Sequence, residues 1–249
     1  MTECIPFFLN SFARRESFLN VYFHFHTKHF KKCEDMYPLY LTIDEDYGIQ
    51  NTNVTTMLYN DIQTSSEYMH ECVSRYHRHL HSLKYFKSKN YKYVINAMDD
   101  GWIENINWLD LNNSVNYLNE FNADRIDLCG PQPLYQLITL NEKISLIDSN
   151  NTLQWYLTNQ CSLWKIDTLI NIYEILGPKS DWEVEKIGSD IARQLQCKFL
   201  TFNVPAITNQ GVFQRKVGMY ERGKKLLIEY CNDKNLNFEK ISNEFNKFI

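Results

Sequence analysis

Apolar residues along this chain gather into short, mainly apolar runs, separated by longer stretches in which they recur every three or four positions. The runs are Ile5–Leu9, Pro38–Ile43, Val94–Met98, Arg125–Cys129 and Phe199–Val204. A mainly apolar run describes a strand covered on both faces, as in a parallel sheet held between layers of helices. Helical spacing marks Glu16–Phe30, where Phe18, Leu19, Tyr22, Phe23 and His26 share a side, and Ser65–Leu83, where Met69, Val73, Tyr76 and Leu80 do and Ser65 or Ser66 can cap. It also marks Trp108–Phe121, Ile166–Leu176 with Gly177-Pro178 as its stop, and a helix from Ser180 to about Leu195. Ile144–Ile147 and Leu153–Leu157 read as short strands that could pair as a hairpin, and residues 48–62 as loop around one short strand. Strands alternating with helices predict an α/β domain with a mainly parallel sheet over residues 1–223. Residues 224–249 predict a helical extension, packed on the domain through Leu236, Phe238, Ile241, Phe245 and Phe248.

Composition narrows the function. With 249 residues, 44% of them hydrophobic, the chain can bury one large core or two small ones. A net charge of −4 opposes a dedicated nucleic-acid binder. The strip Lys84, Lys87, Lys89 and Lys92, interleaved with Tyr85, Phe86 and Tyr91, therefore reads as a solvated helix-to-strand connection, with peripheral contact to anionic lipid as the other option. The seven cysteines are scattered and form no CxxC pair, which argues against a zinc ribbon and for reduced thiols in a cytoplasmic protein. The opening MTECIPFFLNSFARRES lacks a basic n-region and a long apolar core, so no secretion signal is expected, and no run is long enough to span a membrane. His77, His79 and His81 resemble a metal cluster, but on a helix His79 points away from the other two, and a solvated face is the reading preferred there and for His24, His26 and His29. Neither GxGxxG, GxxxxGK[ST] nor GxSxG occurs, which removes dinucleotide enzymes, P-loop kinases and α/β-hydrolases.

Two acidic clusters carry the candidate chemistry. The run YVINAM ends at Asp99-Asp100, followed by Gly101-Trp102. Ligands of open α/β sheets sit beyond the carboxyl ends of the strands, and paired carboxylates there can hold a divalent cation that carries a diphosphate; a solvated turn is the plain alternative. The second cluster is SDWEVE at 180–185. Ser180 and Glu183 have the spacing of a capping box, which leaves Glu185 as the spare carboxylate, on the same helix face as Trp182. An aromatic plane beside a carboxylate suits a sugar; a buried Trp among acids favoured by the helix dipole is the alternative.

Five segments in order, IPFFLNSFARR (5–15), YPLYLTIDED (37–46), YVINAMDDGWI (93–103), TNQCSLWKIDTL (158–169) and SDWEVE (180–185), resemble the GT-A glycosyltransferases. Within them the chain is most similar to a small cytosolic group from bacterial surface-polysaccharide loci and large DNA viruses. The resemblance covers residues 5–190 and implies a single Rossmann-like GT-A domain. It also implies a nucleotide-sugar donor, UDP-linked by preference, Mn²⁺ or Mg²⁺, and a saccharide or lipid-linked acceptor. On this reading Asp99 and Asp100 hold the metal. Asp99, Ser11, Arg14, and Asp44 or Glu45 line the nucleotide. Arg215 and Lys216, with Arg222 and Lys224, are candidates for clamping the diphosphate. Glu185, then Glu183, then Asp181, are candidate bases for an inverting transfer, and Trp182, Trp102 and Trp164 would form the acceptor platform. Many GT-A enzymes use a late His as a third metal ligand, and here all seven His precede residue 82. A catalytically inactive GT-A-like module that binds a saccharide or partner is the alternative, and a nucleotidyltransferase the third reading.

Overall fold

The computed structural model describes residues 4–11, 15–44, 54–58, 67–133, 135–150, 156–209, 213–214 and 218–245, with backbone only at 58, 67–74, 181–182, 209, 213–214 and 218. A nine-stranded sheet forms the centre. Its strands in spatial order are β3 (Val54–Leu58), β2 (Leu39–Ile43), β1 (Phe7–Asn10), β4 (Tyr93–Ala97), β9 (Ser162–Lys165), β6 (Arg125–Asp127), β10 (Phe199–Phe202), β8 (Ile144–Ile147) and β7 (Leu137–Thr139). The first four are mutually parallel. β9 is antiparallel to both neighbours, β6 and β10 are parallel, and β8 is antiparallel to both β10 and β7. Only β9 and β8 thus run against the common direction, so the sheet is mixed but mainly one-way. β5 (Ile103–Ile106) with β11 (Ile207–Asn209), and β12 (Phe213–Gln214) with β13 (Gly218–Met219), make two small antiparallel pairs.

Helices cover both faces. On one side lie α1 (Glu16–Phe30), α3 (Trp108–Glu120), α6 (Glu221–Lys234) and α7 (Phe238–Phe245), and on the other α2 (Glu67–Ser88), α4 (Ile166–Leu176) and α5 (Asp181–Gln194). The strand pleat divides the apolar runs between them: Phe7 and Leu9 of β1 join the first core and Phe8 the second, while Tyr93 and Ile95 of β4 part from Val94 in the same way. That two-sided burial is the physical reason the strands read as mainly apolar runs.

Most elements lie where the pattern put them. α1, α4 and β8 have the expected bounds, and α2 runs on to Ser88 because Leu83 and Phe86 continue its buried stripe. Gly177 ends α4 at φ +66°, a conformation that favours glycine, and its N–H reaches Tyr173 O. The expected hairpin of Ile144–Ile147 with Leu153–Leu157 is replaced: β8 pairs with β7, residues 151–155 lie outside the described residues, and Tyr156 and Leu157 are not in a strand. α7 seals the first core with Phe245, which meets Phe18 edge-on at 4.7 Å and Trp102 at 5.5 Å, and Ser17 Oγ donates to Glu244 Oε2. Leu236 stays exposed and Phe248 lies outside the described residues. Among the described residues no helix is long and apolar enough to cross a membrane.

His26 departs from its expected solvated face. Its ring is stacked on Phe30 at 4.4 Å and meets Phe7 edge-on, and burial pushes its pKa down to about 3. The unfolded chain takes up this proton near the ordinary value of 6.5 while the folded chain does not until about pH 3. Unfolded protein therefore binds more protons across that window, and stability must fall as pH falls through it. His79, also shifted to about 3, adds a second such slope. A His26→Phe protein should lose stability less steeply in acid, by up to about one proton, or ~1.4 kcal/mol per pH unit. Urea denaturation from about pH 7 to about pH 4 reads that slope, and a wild-type slope in the variant would clear His26 of the effect.

Candidate functional site

The carboxyl ends of β1, β2 and β4 share one rim of the sheet, and the chain leaves it at Ser11, Asp44 and Asp99-Asp100. A turn closed by Gly101 N–H on Met98 O at 3.1 Å sets the two carboxylates side by side. Asp99 is 3% exposed and both its oxygens are engaged: Ser11 Oγ donates to Oδ2, and Arg15 Nη1 lies 2.8 Å from Oδ1. The other arm of the same guanidinium, Nη2, is 3.4 Å from Asp100 Oδ2. Burial raises the Asp100 pKa, Arg15 opposes that rise, and the neighbouring Asp99 charge adds to it. Arg15 is held from behind by the face of Phe18, 4.6 Å from its Cζ. Two adjacent negative charges at a strand end are thus tolerable because an internal arginine spans them.

A cleft of about 530 Å³, open mouth included, lies against this rim. Asn10, Asn96, Met98 and Asp99 form its floor, Arg75, Tyr76 and His79 of α2 one wall, and Asn159, Tyr173, Lys179 and Val184 the other. Buried polar pegs fix α2 here. Arg78 donates from Nε to Asn10 Oδ1 and from Nη2 to Ser11 O, both at 3.3 Å, and Ser82 Oγ and Thr42 Oγ1 share a bond of 2.6 Å. His79 is buried rather than solvated. Its ring lies flat on Tyr173 at 4.3 Å, its Nε2 has no partner among the described residues, and burial together with Arg75 lowers its pKa to about 3. It is a neutral imidazole on the cleft wall.

The opposite wall is stitched to α5. Ser180 and Glu183 make the expected capping box: the Ser180 N–H and hydroxyl both donate to Glu183 Oε2, at 3.0 and 2.7 Å, and these bonds lower the Glu183 pKa. Holding the helix start is the observed work of Glu183, which weakens it as a candidate base. Glu185 instead takes the backbone N–H of Asn159 on Oε1 at 2.8 Å, and Asn159 lines the cleft. One turn on, Ser189 Oγ accepts the N–H of Leu157 at 2.8 Å. The segment from Tyr156 to Ser162 is anchored below by Arg125 of β6. Arg125 donates from Nη2 to Asp127, to Thr158 Oγ1 at 2.8 Å and to Ser162 Oγ at 2.9 Å, and Asp127 also receives Tyr135 Oη at 2.8 Å.

The structure therefore brings Ser11, Asp99 and Asp100 together and faces Asp99 across one cleft with Asn159 and Val184, next to Glu185. Asp44 follows β2 on the same rim and is half-buried. Arg14, Glu45, Arg215 and Lys216 lie outside the described residues, and of Asp181 and Trp182 only the backbone, in the first turn of α5, is described. Two expected platform residues are corrected. Trp102 is wholly buried beneath Phe18 and Phe245, and Trp164 is 1% exposed, packed edge-on against Phe199 with the Arg125 guanidinium 5.1 Å from its ring. Neither ring has a face to offer a sugar. Arg15, Arg75, Asn159, Lys179 and Arg125 were not singled out by the sequence, and His79 was weighed only as part of a histidine cluster. The only signal for Arg15 was its place beside Arg14 in the turn after β1.

The Mn²⁺ or Mg²⁺ implied by the resemblance does not fit these residues as folded. Asp99 has no uncommitted oxygen, Asp100 faces a cation already in place, and among the described residues no group of three His, Cys, Asp or Glu is arranged to hold a metal.

The sequence matches no family model and no curated protein. Solved structures do match. Residues 1–349 of TarS from S. aureus superimpose with a TM-score of 0.54 at 13% identity, over 97% of this chain and 70% of that one. The fold is of the GT-A type. The same TarS fragment in complex with UDP gives 0.54 at 12% identity, over 98% and 70%. A longer TarS structure gives 0.52 at 11% identity and is covered over 42% of its length.

Proposed function

We propose that this chain is a glycosyltransferase that moves a sugar from a nucleotide-sugar donor, UDP-linked by preference, to a saccharide or lipid-linked acceptor with inversion. The observation that carries the reading is the single cleft joining the acidic strand exit at Asp99 to Asn159 and the start of α5. TarS structures of this fold in complex with UDP and with UDP-GlcNAc support the choice of donor class. The donor's nucleotide lies along the rim at Ser11 and Asp44, and its diphosphate meets the cationic side of the cleft at Arg75 and Lys179. Glu185 takes the proton of the acceptor hydroxyl as that oxygen bonds to the anomeric carbon, and the bond from that carbon to the diphosphate oxygen breaks with its electron pair leaving on UDP. Lys179 and Arg75 stabilise the charge that gathers on the departing diphosphate.

Thermal shift with UDP, GDP and CMP tests the reading. UDP should raise Tm most, since a ligand at 100 times its Kd adds about 2.7 kcal/mol of stability. No response to any nucleotide would sink the transferase reading and favour the inactive saccharide-binding module.

A further inference from the structure

We propose that Arg15 is a built-in counter-cation for Asp99 and Asp100, and that the chain binds a nucleoside diphosphate without a divalent metal. This inference rests on the donor class proposed above. A cation that bridges two carboxylates must be near both, must match their geometry and must stay there. Arg15 meets each condition. Its two terminal nitrogens lie 2.8 Å from Asp99 Oδ1 and 3.4 Å from Asp100 Oδ2, the two-pronged fit a guanidinium makes and an ammonium does not. Its side chain is 17% exposed, and Arg15 is the N-cap residue of α1, directly joined to the start of a core helix. Phe18, one turn further on, is wholly buried and supports the guanidinium from below, and Phe18 is itself backed by Phe245 and Trp102.

Swinging Arg15 away would break both ion pairs and the ring contact in a site largely shielded from water, where such contacts are strongest. Asp99 would still owe its second oxygen to Ser11. A dication entering beside Arg15 would meet a fixed positive charge. The cleft meanwhile already carries Arg75 and Lys179, so a diphosphate finds cations on the protein and a pair of acids already bridged by one. Such an arrangement does by fixed side chains what a metal-bridged acidic pair does with an exchangeable ion.

Isothermal titration of UDP in EDTA and in MnCl₂, on wild type and Arg15→Gln, decides the matter. Wild type should bind UDP equally, within about twofold, in both buffers. Arg15→Gln, with its carboxylates released, should bind at least about tenfold more weakly in EDTA and recover in Mn²⁺. Wild-type binding that is lost in EDTA and restored by Mn²⁺ overturns the inference and leaves the nucleotide-sugar reading standing. Unchanged binding by Arg15→Gln in EDTA overturns the role of Arg15. Absence of UDP binding in both buffers defeats the donor reading and the inference with it. Should Arg15→Gln fail to fold, the wild-type pair of titrations remains decisive, and electron paramagnetic resonance of Mn²⁺ added to nucleotide-free wild type supplies a second measure: no bound Mn²⁺ is expected, and a stoichiometric site would refute the proposal.

Discussion

A Glu185→Gln protein should bind UDP as the wild type does and transfer sugar roughly 10²- to 10⁴-fold more slowly, the usual cost of losing a general base. The substitution suits the question because the contact to the neighbouring loop survives it: a glutamine Oε1 can still accept the Asn159 N–H that Glu185 accepts at 2.8 Å. The position of α5 is held separately, by the Ser180–Glu183 cap and by Ser189 on Leu157. What the change removes is the capacity to take a proton. Single-turnover transfer with a labelled UDP-sugar, beside UDP titration of the same preparation, separates the two effects. Turnover at the wild-type rate would take Glu185 out of the chemistry, and retention of the anomeric configuration in the product would remove the need for any such base.

Arg125→Met should destabilise the fold by about 3–5 kcal/mol, because it strands a buried carboxylate. For a chain of this size that is a fall in Tm of roughly 6–20 °C. Arg125 and Asp127 are both wholly buried, and the guanidinium also lies over the rings of Trp164 and Phe199 at 5.1 and 5.4 Å. Methionine keeps much of the volume and loses every donor. Adding Asp127→Asn should restore a good part of the loss, since an amide costs less to bury than an unpaired charge. Urea unfolding of the two single variants and the double variant measures the coupling. A loss below about 1 kcal/mol in Arg125→Met would mean the carboxylate finds compensation elsewhere.

The sequence made α1, α4 and the parallel strands β1, β2 and β4 legible for the same reason: their burial is regular, on one helical stripe or on both faces of a strand. β9 escaped because Ser162–Lys165 is four residues long, buried at its first three positions and joined directly to α4, so no period or turn marks it. The Asp99-Asp100 pair was visible as chemistry, but the cation expected on it was a metal and the arginine singled out in that turn was Arg14, expected along the nucleotide, whereas Arg15 makes the contact. A turn has no periodicity by which adjacent arginines can be told apart. Trp102 and Trp164 failed as sugar platforms because residue type does not disclose whether a ring faces water or core. His79 was rightly placed away from His77 and His81, yet it was the inward side that mattered: the face opposite the solvent here is the wall of the cleft.

The direction of β9 has its own consequence for how the reacting groups are kept in register. A parallel strand in that slot would begin at the far edge of the sheet, and the loop entering it would lie some ~13 Å from the acidic rim, the length of four extended residues. Run in reverse, the strand begins beside Asn96 at Ser162, and its approach passes under Glu185 before entering the sheet. The loop is therefore pinned at its downstream end, and a single residue inserted between Asn159 and Ser162 would shift the spacing between Asn159 and Asp99 directly.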